Sequence, residues 1–326
     1  QNPTMGEEWR RGWDPESIKP KKTDQKALVI GSGPSGLECT MQLARRGYHV
    51  TLAEADNKLG GRVLFESGLK GLSAWKRVSD NRIYEIQQKN NIEIYKESEL
   101  TLSHINELGI NNIFLATGSS WRKDGVGRSR RKPVQGLDSL QVLTPEEAIK
   151  QSPNLSGPIV VYDDEQGYLA GVIADHLSFD EHEVIFITPA SVVSPWTEST
   201  LEQKRIQKAL LVSGVNVICN KTIDKAEGSN LNLKCVFTGE ISLLKCSSLV
   251  MVTERIPNTT LYDQLVEQEN NTEQGEAKHI QLIGDAESPG LIADAVFLGH
   301  LAAQSFEEPE QEIQKAMFMR EMPSLK

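Results

Sequence analysis

The stretch ALVIGSGPSGLECTMQLARRGYHVTLAE, residues 27–54, decides the fold. Ala27-Leu28-Val29-Ile30 is a short apolar run suited to a strand buried on both faces. Gly31-Ser32-Gly33-Pro34-Ser35-Gly36 follows as a turn. Residues 37–46 then place Leu37, Met41, Leu43 and Ala44 on one helical face, and Gly47 ends the helix. Residues 49–53 read as a second strand, with Glu54 at its carboxyl end. The spacing predicts a parallel strand pair joined by a helical crossover.

The glycines in this turn have a chemical reading. A pyrophosphate needs donors without bulk around it. Gly31 permits the tight turn off the strand, Gly33 removes a side chain that would collide with phosphate, and Gly36 lets helix and strand pack closely. The helix N-terminus adds free N–H groups and the positive end of its dipole. Glu54 stands where a carboxylate accepts hydrogen bonds from both ribose hydroxyls, and it would repel a 2′-phosphate. An adenine dinucleotide or its ADP half is the ligand this pattern expects.

Outward from this unit, the 326 residues suggest about two domains at roughly 150 residues each. A net charge of -10 argues against nucleic acid or an anionic membrane as partner. No apolar run approaches the roughly 18 residues of a membrane span, and no signal-peptide pattern opens the chain, so a cytoplasmic location is expected. Cys39, Cys219, Cys235 and Cys246 form no C-x-x-C pair and read as buried free thiols. Residues 1–23 read as an extended arm anchored by Trp9 and Trp13, and the start at Gln1 as a cut through a longer chain.

Further strands are expected at 112–116, running into Thr117 and Gly118, and at 280–283, running into Gly284 and Asp285. A helix over 290–307 follows the second of these. A second βαβ unit is expected from strand 159–162, helix 168–179 and strand 184–187. A helix at 201–213, a strand at 215–218, a meander over 221–247 and a strand at 249–252 complete it. The expected division is an arm at 1–23, a nucleotide domain at 24–152 plus 256–326, and an inserted domain at 153–255. Where a nicotinamide loop would stand, the second unit has Asp163-Asp164-Glu165. Three acids there would repel a pyrophosphate by a few kcal/mol at an effective dielectric near about 20, and are expected to cap the helix instead. One nucleotide site is expected, not two. The basic loop of Arg122, Lys123, Arg128, Arg130, Arg131 and Lys132 reads as solvated, and His300 as a packed or capping histidine.

The motifs together resemble one family. NPTMGEEWRRGW, GSGPSG, LGGRV from Leu59, ATGSSWRKDG from Ala116 and GDAESPGLIADA from Gly284 are similar to the C-terminal half of trimethylamine dehydrogenase. That architecture is shared by dimethylamine and histamine dehydrogenases and by the dienoyl-CoA-reductase-like NADH:flavin oxidoreductases. The resemblance implies an α/β fold of two Rossmann-like, glutathione-reductase-type domains, the second inserted into the first. It further implies a flavin-bearing barrel and an iron–sulfur segment N-terminal to this region in the complete polypeptide, and an electron-transfer flavoprotein as partner. No catalytic residue, metal or cluster is expected on this chain itself.

Carried over position by position, the resemblance makes Gly31, Gly33, Pro34, Ser35 and Gly36 the pyrophosphate loop. Glu54 and Ala55 match the ribose end, and Gly61 and Arg62 the segment beside the phosphates. Thr117 and Gly118 match the crossover back to the nucleotide, and Asp285 the acid at the ribityl or terminal-phosphate end. Family members hold either FAD or a redox-inert ADP here. The degenerate second loop and the run GDAESPGLIADAVFLGH favour ADP, with FAD as the alternative.

Overall fold

A computed structural model describes residues 2–4, 18–155, 157–271 and 278–309. Trp9 and Trp13, the expected anchors of the arm, lie outside the described residues. The chain divides into two compact units, the first from residues 1–67, 72–119 and 257–326, the second from 68–71 and 120–256.

The first unit opens with β1 (Lys26–Ile30), α1 (Pro34–Arg46) and β2 (His49–Ala53). Pro34 occupies the first helical turn, where its missing N–H costs nothing. Gly47, at φ 100°, ends α1 by turning its N–H and that of Tyr48 back to Ala44 and Leu43. Then come α2 (Arg62–Glu66), α3 (Arg77–Gln87), β3 (Ile92–Tyr95), α4 (Leu102–Leu108) and β4 (Asn112–Leu115). The chain leaves the unit through β5 (Ser119–Trp121).

The second unit holds β6 (Gln141–Leu143), α5 (Pro145–Gln151), β7 (Ile159–Asp163), α6 (Leu169–Phe179), β8 (Val184–Ile187), α7 (Gln203–Val212) and β9 (Asn216–Ile218). The antiparallel meander β10 (Lys221–Glu227), β11 (Asn230–Cys235) and β12 (Ile241–Lys245) follows, then β13 (Ser248–Val252). Its parallel sheet runs β6-β13-β7-β8-β9. Residues 120–152, expected in the outer domain, therefore belong to the inserted one. The reason is β6, which pairs with β13 but has three residues, too few to show a period.

The return passes through β14 (Arg255–Pro257) to α8 (Thr260–Asn270), β15 (His279–Leu282) and α9 (Ile292–Ser305). Among the described residues, the first unit's sheet is parallel, in the order β15-β4-β1-β2-β3. Val29, Val50, Leu52 and Phe114 on one face pack with Leu37, Leu43, Ile86, Ala302, Ala303 and Phe306. Leu28, Ile30, Ile113 and Leu115 on the other face pack with Ile105, Ile110 and Leu265. Coverage of both faces is why β1 and β4 have no polar alternation.

Candidate functional site

β1 delivers the chain to the glycine turn at its carboxyl end, and packing dictates most of that turn. Gly31 has φ +99°, and a Cβ there would overlap the carbonyl oxygen of Ala116. A Cβ on Gly36 would overlap the carbonyl oxygen of Gly31. Gly61, at φ +58°, would bring its Cβ to 2.8 Å from the Cα of Gly33. The 59–61 loop thus lies against the turn, and the N–H of Gly60 donates to Ser32 O at 3.0 Å. Gly33 is different. Its φ of -65° suits any residue, and a Cβ built on it meets nothing within 4 Å.

Gly33 is also the N-cap of α1, with no side chain capping the helix and no acid in its first turn. The helix start therefore presents backbone donors and dipole to the space beside Gly33. The Ser35 hydroxyl is buried there without a hydrogen-bond partner among the described residues.

Glu54 reaches back from the end of β2 and holds the turn. Its Oε2 accepts from the N–H of Ser32 at 2.8 Å and from the Ser32 hydroxyl. Oε1 accepts from the N–H of Asp56 at 2.9 Å. A carboxylate offers about four acceptor directions, so roughly one remains for a ribose hydroxyl. Glu54 thus has one acceptor direction open where the expected pair of ribose bonds needs two, and it also supports the loop. Ala55 beside it is exposed.

Asp285 lies in the turn before α9, whose N-cap is Leu291. Its Oδ2 accepts from Arg62 Nη1 at 3.0 Å and from the Ser119 hydroxyl at 2.9 Å, while Oδ1 accepts from the N–H of Gly290 at 3.1 Å. Arg62 also donates through Nη2 to Ser119 O at 2.7 Å. Sequence reasoning reached Arg62 and Asp285 separately and missed Ser119, which joins them. Thr117 and Gly118 are held by Asn258, likewise missed. The Thr117 hydroxyl donates to Asn258 O at 2.7 Å, Asn258 Nδ2 to Thr117 O at 3.0 Å, and Asn258 N–H to Gly118 O at 3.0 Å.

The family model described as pyridine nucleotide-disulphide oxidoreductase matches residues 7–67 and 25–297. The chain belongs to the pyridine nucleotide-disulphide oxidoreductase family. It is similar to dimethylamine dehydrogenase of Hyphomicrobium sp. (strain x), 31% identical over 97% of this chain and 46% of that protein. It is also similar to the structure of histamine dehydrogenase from Rhizobium sp. 4-9, with a TM-score of 0.91 and 40% identity over 95% of this chain and 48% of that one. The 6-hydroxypseudooxynicotine amine oxidase structure from Pseudomonas geniculata N1 matches with a TM-score of 0.88 and 33% identity, over 94% and 46%. The chain spans about half the length of these relatives.

As a pyridine nucleotide-disulphide oxidoreductase-type chain it has a second dinucleotide-fold unit, and there one expectation needs correction. Asp163, Asp164 and Glu165 do not cap α6, whose N-cap is Tyr168 and which has no side-chain cap and no acid in its first turn. They turn into the protein instead. Asp163 accepts from the N–H of Gln166 at 2.7 Å, and Asp164 from the N–H of Ser129 at 2.9 Å. Asp163 and Asp164 are wholly buried. Burial, reinforced by the Glu165 and Asp164 charges, pushes the Asp163 carboxyl well above the ordinary carboxylate range. Of the basic loop, Arg122 pairs with Asp124, Lys123 with Glu147, and Arg128 stacks on Trp196.

The raised Asp163 value has a consequence for stability. A carboxyl raised on folding carries no penalty below its unfolded pKa of about 3.9, where both states are protonated. The penalty grows as pH rises from there toward the folded value. Asp163→Asn keeps the acceptor for Gln166 and removes the ionisable proton. Its thermal midpoint should therefore exceed the wild type's at about pH 7.5 and match it at about pH 3.5. Equal midpoints at the higher pH would contradict the buried, raised carboxyl.

Among the described residues, no group of His, Cys, Asp and Glu is placed to hold a metal ion, and no helix is long and apolar enough to cross a membrane.

Proposed function

We propose that the first unit holds one adenine nucleotide, ADP, in a structural role, as the C-terminal portion of an amine-dehydrogenase-like flavoprotein. The observation that carries this reading is Gly33. Gly31, Gly36 and Gly61 are explained by the chain's own packing, whereas Gly33 borders open space at an uncapped helix N-terminus. A pyrophosphate there would account for the missing side chain and for the buried, unpartnered hydroxyl of Ser35.

In this reading the first turn of α1 binds the phosphates, Glu54 orients the ribose, and Arg62 borders the terminal phosphate. ADP is favoured over FAD by Asp285, whose oxygens already accept from Arg62, Ser119 and Gly290 and so have little left for a ribityl chain. The second reading is a FAD-binding electron relay. The family match favours it, because that family is named for pyridine nucleotide redox chemistry. Amine oxidation itself would belong to the half of the relatives that this chain does not span. That half would hold the flavin barrel and iron–sulfur segment and pass electrons to an electron-transfer flavoprotein. Free cysteines fit a cytoplasmic location.

The nucleotide released on denaturing purified protein decides between the readings. Colourless protein releasing ADP is expected. Yellow protein absorbing near about 450 nm, as flavins do, overturns the ADP reading. Glu54→Ala should weaken ADP binding by about 1.5 to 3 kcal/mol, the scale of a hydrogen bond to a charged group. It should also lower the midpoint of the nucleotide-free protein, because Ser32 loses its acceptor. Unchanged affinity by calorimetry would remove Glu54 from the ribose.

A further inference from the structure

We infer that α9, through Gly299 and His300, sets the conformation of the phosphate-binding turn, making His300 a positioning residue for nucleotide binding. The inference rests on the adenine-nucleotide reading of the first unit.

Ser35, in the first turn of α1, is gripped by two glycines from the far end of the chain. A Cβ on Gly299 would overlap the carbonyl oxygen of Ser35, so α9 and α1 meet there backbone to backbone. A Cβ on Gly284 would lie 2.6 Å from the Ser35 Cβ. The serine that offers its N–H and hydroxyl at the helix start therefore goes wherever α9 and the turn before it are held.

A buried polar cluster holds them. His300, the residue after Gly299, bonds through Nδ1 to Glu38 Oε1 at 2.9 Å. Glu38 lies one turn beyond Ser35 on α1. Its Oε2 accepts from Arg82 Nε of α3 at 2.6 Å, and its Oε1 also accepts from Gln42 Nε2 at 2.8 Å. Burial pushes the Glu38 carboxyl up, but the His300 bond and the Arg82 charge outweigh it and hold the carboxyl below its usual range. An ionised carboxylate only accepts, so His300 Nδ1 carries the proton. The apolar contacts of Ala302, Ala303 and Phe306 hold α9 to the sheet without direction. The His300–Glu38 bond is directional, and it fixes the helix register at the residue next to the close approach.

The test compares ADP with adenosine, which has no phosphate, by calorimetry on nucleotide-stripped protein at a temperature well below each variant's thermal midpoint. His300→Leu should weaken ADP at least about tenfold while leaving adenosine within about twofold, because only the phosphates use the first turn of α1. His300→Asn, which keeps a donor near the Nδ1 position, should recover most of the ADP affinity. A merely structural histidine would lower the midpoint without changing the ADP-to-adenosine ratio. An unchanged ratio in His300→Leu overturns the inference alone. Wild-type protein that binds no ADP overturns the nucleotide reading, and the inference with it.

Discussion

Gly36→Ala should prevent the first unit from folding, whereas Gly33→Ala, three residues earlier, should fold normally and lose its nucleotide. The Gly36 Cβ would overlap a backbone carbonyl, that of Gly31, and also press on the Ala116 Cβ at 3.1 Å. Neither neighbour can rotate away. Relief would require prising α1 from β1, at more than about 3 kcal/mol, a large share of a typical net stability of roughly 5 to 15 kcal/mol. The Gly33 Cβ meets nothing within 4 Å and its backbone is unstrained. Gly33→Ala should therefore keep its stability to within about 1 kcal/mol, the difference between glycine and alanine at an N-cap. ADP affinity should fall at least about tenfold, because the methyl group takes the place of phosphate oxygens. Thermal melts and calorimetry on the two variants separate the glycine the fold needs from the glycine the ligand needs. Full ADP affinity in Gly33→Ala would mean that the open space is not the pyrophosphate's.

Glu38→Ala is the second large effect. It takes away the buried carboxylate that Arg82 pairs with, at a cost of about 3 to 5 kcal/mol. The charges joining α1, α3 and α9 are stabilising only as a set, so replacing Glu38 and Arg82 together by leucine should recover most of that loss. Chemical denaturation of both variants measures it. The sign with pH follows from the lowered Glu38 value. Its contribution is complete above the unfolded carboxyl's pKa of about 4.3 and fades as pH falls through the folded value. A double variant no more stable than Glu38→Ala would show that the loss comes from packing and not from the broken ion pair.

How far the sequence can be read follows from burial. The unit from β1 to β2 and the strands β4, β7, β8 and β13 were visible because each is buried along nearly its whole length, which leaves an uninterrupted apolar run. α3 was not visible, since among its residues only Ser79, Arg82 and Ile86 are buried and two of those are polar. β3 was hidden by its half-exposed alternation IEIY at the sheet's edge. In the site, the glycines and Glu54 could be located because turn, helix and strand end lie close in sequence. Ser119, Asn258, Gly299 and the true placement of Asp163 could not be. The partners of Ser119, Asn258 and Gly299 lie tens to hundreds of residues away, and a buried acid such as Asp163 reads the same in sequence as one at a helix cap. The glycine turn itself emerges in sharper form. It has one position, Gly33, that the fold does not require.

The most direct measurement of the central claim is a calorimetric titration of nucleotide-stripped protein with ADP, followed by one with NADH. One adenine-nucleotide site in the first unit and none in the second predicts a stoichiometry of about one for ADP at micromolar or tighter affinity, and no saturable heat with NADH. Two equivalents of ADP, saturable NADH binding, or no ADP binding at all would contradict it.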